Sequence, residues 1–251
     1  MDIFSLKGKT AIVTGANTGL GQSICIAYAE AGCNVVGVAR RSCEETQKMV
    51  DAYGVKFLEV LADLSNVSVA SGIFDKALEV FGAVDILVNN AGVIKREDSI
   101  NVSESDWDSV INVNQKVVFF MCQEFARRCF AANRRGKIIN ICSMLSYQGG
   151  FRVASYCASK SAIMGVTKAL CNEWASKGIN VNAIAPGYME TNNTLQIRSD
   201  SNRNEAILDR IPQGRWGTPS DLKGAAIFLA SEASDYVNGF TLAVDGGWLA
   251  R

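Results

Sequence analysis

The stretch TAIVTGANTGLG, residues Thr10–Gly21, joins three features that together decide the fold. Its opening residues are apolar or β-branched, which predicts a short buried strand. Glycines at positions 15, 19 and 21 follow at once and predict a sharp turn, because glycine adopts backbone conformations closed to other residues. Apolar residues then recur at helical spacing as far as Ala31. The stretch therefore predicts a strand, a glycine-rich turn and a helix in direct succession.

Strand and helix patterns keep alternating over the whole chain of 251 residues. This alternation predicts an α/β fold: a single-domain, Rossmann-like, doubly wound parallel sheet of about seven strands, with helices on both faces. We expect one domain over residues 1–251 and one long helix over Ser103–Asn133. Residues 188–218 are polar and lie outside the alternation, which indicates a substrate-binding loop or lid. The predicted strands are Thr10–Thr14, Asn34–Ala39, Lys56–Ala62, Val84–Val88, Lys137–Cys142, Ile179–Ala185 and Thr241–Val244.

The composition excludes several classes of protein. The chain has no histidine, which excludes histidine-dependent hydrolases and proteases and histidine-ligated zinc or haem. Lysine plus arginine equals aspartate plus glutamate, at 25 each, so no surface for nucleic acid is indicated. The eight cysteines form no C-x-x-C pair, so we expect no metal site and a reducing compartment. No signal peptide or membrane-length apolar run is visible, so we expect a soluble, cytoplasmic protein without a membrane partner.

The glycine-rich turn is a candidate binding site for a dinucleotide, although a tight turn that binds no ligand would have the same sequence pattern. Glycines let a diphosphate approach closely, and the following helix offers free N–H groups. The second predicted strand ends in Ala39-Arg40-Arg41, where such folds commonly carry an acidic residue for the ribose. A guanidinium there suits a 2′-phosphate, which favours NADP(H) slightly over NAD(H), unless the arginines are solvated. Asp63, at the end of the third strand, could reach the adenine or cap the next helix.

Tyr156 and Lys160 are spaced as a candidate acid–base pair. Residues four apart share one face of a helix, so the ammonium can lie near the phenol. A nearby cation stabilises a phenolate and lowers the tyrosine pKa from its usual value of roughly 10. Ser143, at the end of a predicted strand, offers a hydroxyl to orient a substrate oxygen. A tyrosine and a lysine at this spacing also occur on many helices without a catalytic role.

Taken in order, these motifs resemble those of the short-chain dehydrogenase/reductase family over the whole chain. They are Thr14-Gly-x-x-x-Gly-x-Gly21, Asn89-Asn-Ala-Gly92, Asn114, Ser143, Tyr156-x-x-x-Lys160 and Pro186-Gly187. The resemblance implies hydride transfer between NAD(P)(H) and a carbinol or carbonyl carbon.

The resemblance also implies residue roles. Tyr156 would be the general acid/base, and Lys160 would lower its pKa and hold the nicotinamide ribose. Ser143 would position the substrate oxygen, while Asn114 would anchor a water that relays protons. Together with the patterns above, the resemblance also implies which residues contact the cofactor. They are Gly15, Asn17, Gly19, Leu20, Arg40, Asp63, Leu64, Asn90, Gly92, Tyr156, Lys160, Pro186, Gly187, Met189 and Thr191.

Residues 143–153, 185–194 and 207–217 resemble the 2-dehydro-3-deoxy-D-gluconate 5-dehydrogenases within that family, with gluconate 5-dehydrogenases as a close alternative. The implied substrate is a six-carbon keto-sugar acid that reacts at C5. Such an anionic polyol needs a cation for its carboxylate and polar groups for its hydroxyls. The candidates are Ser143, Gln148, Arg152, Tyr156, Asn193 and Arg215, although each arginine could equally be a surface charge.

Other interpretations stay open. A 3-oxoacyl-thioester reductase of the same fold would need a basic docking patch and an apolar channel, which the polar segment and balanced charge disfavour. A non-enzymatic dinucleotide sensor need not keep all four catalytic residue types. The closer group is generally associated with NAD, so Ala39-Arg40-Arg41 departs from it. The resemblance implies a homotetramer, and the apolar stretch Phe240–Ala250 could lie in an interface or in the core.

Overall fold

The computed structural model describes residues 3–251 as a single sheet wrapped by helices. Its strands run in the order β3-β2-β1-β4-β5-β6-β7, and each neighbouring pair is parallel. The predicted doubly wound parallel sheet is therefore confirmed. The strands are β1 (Thr10–Thr14), β2 (Asn34–Ala39), β3 (Phe57–Leu61), β4 (Ile86–Asn89), β5 (Gly136–Ile141), β6 (Ile179–Pro186) and β7 (Thr241–Val244).

Helices cover both faces of the sheet, and two short ones lie at its carboxyl-terminal edge. Helices α1, α2 and α9 pack on one face, and α3, α5 and α6 pack on the other. Within residues 3–251, no helix combines the length and apolar character needed to cross a membrane. The helices are α1 (Gly19–Glu30), α2 (Glu44–Asp51), α3 (Val69–Phe81), α4 (Glu104–Ile111), α5 (Val117–Ala131), α6 (Ala154–Trp174), α7 (Leu195–Arg198), α8 (Ser201–Leu208) and α9 (Lys223–Ala230).

Strand β1 is an inner strand of the sheet, between β2 and β4, and is buried along its whole length. Ile12 pairs with Val36 of β2 on one side and with Leu87 of β4 on the other. Side chains of β1 alternate between the two apolar cores, because successive residues of a strand point to opposite faces. Burial on both faces explains why the strands read as nearly continuous apolar runs in the sequence.

The single helix expected over Ser103–Asn133 is interrupted. It comprises α4, a π-helical turn at Asn112–Lys116, and α5. The interruption centres on Asn114, which is fully buried and bonds to residues outside its own helix. A π-turn widens the helix by one residue and so turns this amide inward, a common arrangement at functional sites.

The segment 188–218 contains helices α7 and α8 and covers the carboxyl ends of the strands. It is not a bare loop, because Ile197, Ile207 and Trp216 pack with Met144 and Trp248 into a third, smaller apolar cluster. Trp248 is therefore a core residue, whereas Phe240 at the other end of the apolar C-terminal stretch is exposed.

Candidate active site

A cavity of about 960 Å³ opens at the carboxyl ends of the central strands. Its walls come from the ends of β1, β2, β4, β5 and β6 and from the segment 188–218. Strands β1 to β3 extend the sheet to one side and β4 to β7 extend it to the other, so the strand order reverses between β1 and β4. Open α/β sheets bind their ligands at such a reversal point.

The glycine-rich turn forms the floor of this cavity at the end of β1. A Cβ atom at Gly21 would overlap the carbonyl oxygen of Gly15, so only glycine fits there. The amide of Asn90 donates hydrogen bonds to the carbonyl oxygens of Thr14 (2.9 Å) and Gly15 (3.3 Å), which fixes the turn against β4. Gly15 and Gly19 have positive φ angles of 68° and 59°. The close-packed backbone and the N-terminus of α1 suit a diphosphate.

Tyr156 and Lys160 lie on the first two turns of α6 and line the cavity, as the sequence predicted. The start of α6 is anchored by Ser146, whose hydroxyl donates to the carbonyl oxygen of Lys160 at 2.8 Å. Ser143 follows β5 and also lines the cavity. The structure therefore brings a phenol, an ammonium and a hydroxyl to one wall.

Burial shifts the pKa values of both ionisable groups toward the neutral form. It raises the pKa of Tyr156 to about 12, and the neighbouring Ser143 hydroxyl opposes that rise. It lowers the pKa of Lys160 to about 8. The Lys160 ammonium donates to the carbonyl oxygen of Ile141 at 2.6 Å and lies 5.7 Å from the centre of the Tyr156 ring. The shift of the Tyr156 pKa is therefore opposite in direction to the lowering that the sequence predicted.

Asn114 connects helix α6 to the loop that follows β4. Its amide oxygen accepts from the backbone N–H of Val93 at 2.8 Å, and its amide nitrogen donates to the Ser159 hydroxyl at 3.1 Å. A Cβ atom built at Gly92 would lie 3.3 Å from the Asn114 amide oxygen and 3.7 Å from the Lys160 nitrogen. Asn114 is thus beside Lys160, but its side chain is fully buried and does not line the cavity.

Two arginines lie at the β2 end of the cavity. Arg40 and Arg41 both line it, and they also border a smaller pocket of about 150 Å³ that contains Asp63 and Leu64. The carboxylate of Asp63 accepts from the backbone N–H of Ser65 at 2.9 Å, which lowers the Asp63 pKa. Helix α3 begins only at Val69, so Asp63 does not cap it.

The residues predicted to contact the cofactor are grouped by the structure around these two connected spaces. Asp63 and Leu64 border the smaller pocket. The main cavity is lined by Gly15, Asn17, Gly19, Leu20, Arg40, Asn90, Gly92, Tyr156, Lys160, Pro186, Gly187, Met189 and Thr191.

The predicted substrate contacts divide into two groups. Gln148 and Asn193 line the cavity together with Ser143 and Tyr156. Arg152 does not: it pairs with Glu97 at 3.5 Å and Asp98 at 3.0 Å on the outer surface.

Arg215 also lies outside the cavity lining. Its guanidinium donates two hydrogen bonds of 2.8 Å to the carboxylate of Asp221. Both predicted arginines are therefore held by acidic partners away from the site, and other residues supply its positive charge.

Three arginines that sequence reasoning did not select also line the cavity: Arg96, Arg203 and Arg210. Arg96 follows the Asn89-Asn-Ala-Gly92 motif, and the other two lie seven residues apart on and just after α8. Residues at this spacing share a helix face, which is the one sequence signal that could have paired them.

Comparisons with known proteins agree with this architecture. A family model described as Enoyl-(Acyl carrier protein) reductase matches residues 15–249. The 2-dehydro-3-deoxy-D-gluconate 5-dehydrogenase of Dickeya dadantii is 59% identical over 251 residues, which cover 100% of this chain and 99% of that protein. The Escherichia coli protein of the same name is 58% identical over 251 residues, with the same coverage of both chains. The chain belongs to the short-chain dehydrogenase/reductase family.

A solved structure from Agrobacterium tumefaciens extends the likeness to three dimensions. That protein, named provisionally as a 2-deoxy-D-gluconate 3-dehydrogenase, was solved with bound NADP. It superposes with a TM-score of 0.95 at 54% identity, and the match covers 100% of both chains. As a family member, the present chain is an oxidoreductase that acts on CH–OH groups, so the predicted family and reaction class are confirmed.

Proposed function

We propose that this protein is an NADP(H)-dependent oxidoreductase that interconverts hydroxyl and carbonyl groups at C5 of 2-dehydro-3-deoxy-D-gluconate or a closely similar keto-sugar acid. One observation carries the proposal. The five arginines that line the cavity form no ion pair with any carboxylate in residues 3–251. Unpaired guanidinium groups in a cleft favour anionic ligands. They lie in two groups, Arg40 and Arg41 at one end and the other three at the substrate end.

The arginines at the β2 end support NADP(H) as the cofactor. A guanidinium pairs well with a 2′-phosphate and stacks on an adenine, whereas an unphosphorylated ribose prefers a carboxylate. The Agrobacterium tumefaciens relative has NADP bound, which is consistent with this choice. A nicotinamide dinucleotide supplies or accepts the hydride.

The chain's own residues manage the proton and the orientation of the substrate. In the reduction direction, Tyr156 donates its phenolic proton to the substrate oxygen, and in the oxidation direction it takes that proton back. The Ser143 hydroxyl donates to the same oxygen and fixes its position. Lys160 stabilises the phenolate while it is charged, and Asn114 fixes the backbone at Val93 beside Lys160. The segment 188–218 acts as a lid that keeps water from this wall.

The names of the relatives and the polar lining support a sugar acid over an acyl thioester. The family model is described by an acyl-carrier-protein substrate, yet the 58–59% identical relatives carry the sugar-acid name. Gln148, Asn192 and Asn193 add side chains that can bind sugar hydroxyls. Glu190 also lines the cavity, where an acyl chain would meet a charge.

The position of oxidation is the property that tests this proposal. We would incubate the protein with 2-dehydro-3-deoxy-D-gluconate and NADP⁺ and assign the product by ¹³C NMR. A new carbonyl resonance at C5 supports the proposal. A carbonyl at another carbon, or no reaction with this acid in either direction, contradicts it.

We also propose that the protein is a cytoplasmic homotetramer. All eight cysteines are free thiols, as suits a reducing compartment. Large apolar side chains that are exposed on the single chain suit contacts with further copies: these are Ile100, Phe151, Tyr236 and Phe240. Sedimentation equilibrium should give the mass of four chains, and a monomer mass would contradict the proposal.

A further inference from the structure

We infer that Arg203 and Arg210, together with Arg96, bind the substrate's C1 carboxylate, and that Trp248 orients Arg210 for this task. The inference depends on the proposed function, because it assigns one end of the same substrate. These three arginines take the role that the sequence assigned to Arg152 and Arg215.

The first support is how the chain uses its arginines. Seven arginines pair with an aspartate or glutamate: Arg127, Arg128, Arg134, Arg135, Arg152, Arg198 and Arg215. In residues 3–251, Arg96, Arg203 and Arg210 have no such partner although acidic residues lie nearby in sequence. Arg96 and Arg203 are close enough for their like charges to repel each other. A bound anion would relieve that repulsion.

Arg210 is held in a geometry that leaves its hydrogen-bonding edge free. Its guanidinium carbon lies 4.1 Å above the centre of the Trp248 ring. Stacking uses the flat face of the guanidinium, so the N–H groups in its plane remain available. That edge matches the two oxygens of a carboxylate. Trp248 itself is fixed, because it is buried and stacks edge-on against Tyr188, with ring centres 4.8 Å apart.

Arg203 lies on α8, Arg210 lies two residues beyond the end of that helix, and both line the cavity. Arg203 occupies the first helical turn, where Asp200 caps the helix by accepting from the Arg203 backbone N–H at 3.2 Å. The helix dipole disfavours a cation at this end. Arg203 therefore contributes no favourable charge to the helix, and its exposed side chain lines the cavity. A ligand carboxylate supplies the missing partner.

Arg96 lies in the loop after β4, on a different segment from Arg203 and Arg210, and its charge acts on Tyr156. Its guanidinium donates to the carbonyl oxygen of Asn193 at 2.9 Å, which joins the loop after β4 to the segment 188–218. Partial burial and the charge of Arg203 lower the Arg96 pKa. In a hexonate, C1 and C5 are four bonds apart, roughly 5 Å. A carboxylate among these arginines can thus leave C5 near Tyr156.

The test compares an acid with its uncharged analogue. We would measure kcat/KM for 2-dehydro-3-deoxy-D-gluconate and for its C1 amide, with NADP⁺, in Arg203→Gln, Arg210→Gln and the unchanged protein. Arg127→Gln is the matched control, since Arg127 is an exposed arginine far from the cavity lining. Each cavity variant should lose about 10- to 100-fold in kcat/KM for the acid, as expected for a hydrogen-bonded charge. Neither should change kcat/KM for the amide more than the control does.

Equal losses for the acid and the amide, or no loss for either, would overturn the inference. A binding readout separates this failure from failure of the proposed function. Calorimetric titration of D-gluconate into the protein–NADPH complex excludes turnover, because oxidation of the hydroxy acid needs the oxidised cofactor. If the unchanged protein oxidises no keto-sugar acid, the proposed function fails, while weaker D-gluconate binding in both arginine variants still supports the carboxylate site. D-Gluconate binding that is unchanged in both variants contradicts it.

Discussion

The start of α6 carries two ionisable side chains, the half-buried Tyr156 and the buried Lys160, and the neutral form of each is favoured. Tyr156, whose pKa burial raises to about 12, is protonated at neutral pH and can donate its proton. Lys160, with a pKa lowered to about 8, is close to losing its charge at physiological pH. A further positive charge near the phenol, such as an oxidised nicotinamide ring would supply, would lower that pKa and favour Tyr156 as a base.

These two pKa values set the pH dependence of ketone reduction. Reduction needs the protonated phenol, which persists far above neutral pH, and a charged lysine, which is lost as the pH rises through about 8. We predict that kcat/KM for reduction falls as the pH rises above that value. Lys160→Arg should move the fall to higher pH, because a guanidinium stays charged. A profile for the unchanged protein that is flat to about pH 10 would contradict this assignment.

Replacing Tyr156 by phenylalanine removes the proton donor and keeps the ring. Turnover should fall by about 10²- to 10⁴-fold, the usual contribution of a positioned acid or base. NADPH binding, followed by fluorescence, should be nearly unchanged, since only the hydroxyl is lost. Turnover within a few-fold of the unchanged protein would remove Tyr156 from the mechanism.

Arg40 tests the choice between the two dinucleotides. In Arg40→Asp, a carboxylate replaces the guanidinium, so it repels a 2′-phosphate and can accept from ribose hydroxyls. The ratio of kcat/KM for NADPH to that for NADH should drop by about 100-fold, the value of one or two charged hydrogen bonds. An unchanged ratio would mean that Arg40 points into solvent when the cofactor is bound.

At the scale of elements, the glycine-rich turn works because two backbone segments touch. Gly21→Ala places a methyl group on the Gly15 carbonyl, which should cost roughly 1–3 kcal/mol of unfolding free energy and weaken NADPH binding. Gly72→Ala is the matched control, since its added Cβ meets nothing within 4 Å on an exposed face of α3. That variant should gain about 1 kcal/mol. Urea unfolding of both variants checks the contrast, and equal effects would contradict it.

Some elements could be predicted from the sequence and others could not. The turn, the strands and the position of Tyr156 near a helix start could be predicted because each depends on neighbours in the chain. The π-turn at Asn112–Lys116 could not, because Asn114 bonds to Val93 and Ser159, which lie 21 and 45 residues away. Arg152 illustrates the same limit: its φ of 60° and its pairing with Glu97 and Asp98 arise from contacts between distant loops.

At the scale of the whole molecule, the doubly wound sheet was predictable because parallel strands buried on both faces keep an apolar pattern. The common position of the residues proposed to bind the cofactor followed from it, since the strand order brings the glycine turn, Arg40 and Asn90 to one edge. The residues proposed to bind the substrate could not be predicted from the strand order. An arginine's role depends on which carboxylates lie within reach, and that is decided only when α8, the loop after β4 and the C-terminus meet.

Our central proposal is that one cavity of this protein combines a site for a 2′-phosphate with a site for a sugar acid. The measurement that tests it most directly is a matrix of initial rates, with NADPH and NADH each paired with 5-keto-sugar acids and with an acetoacetyl thioester. We predict that NADPH with a 5-keto-sugar acid gives the highest kcat/KM of all pairs. Activity confined to the thioester would contradict the sugar-acid site, and a preference for NADH would contradict the phosphate site.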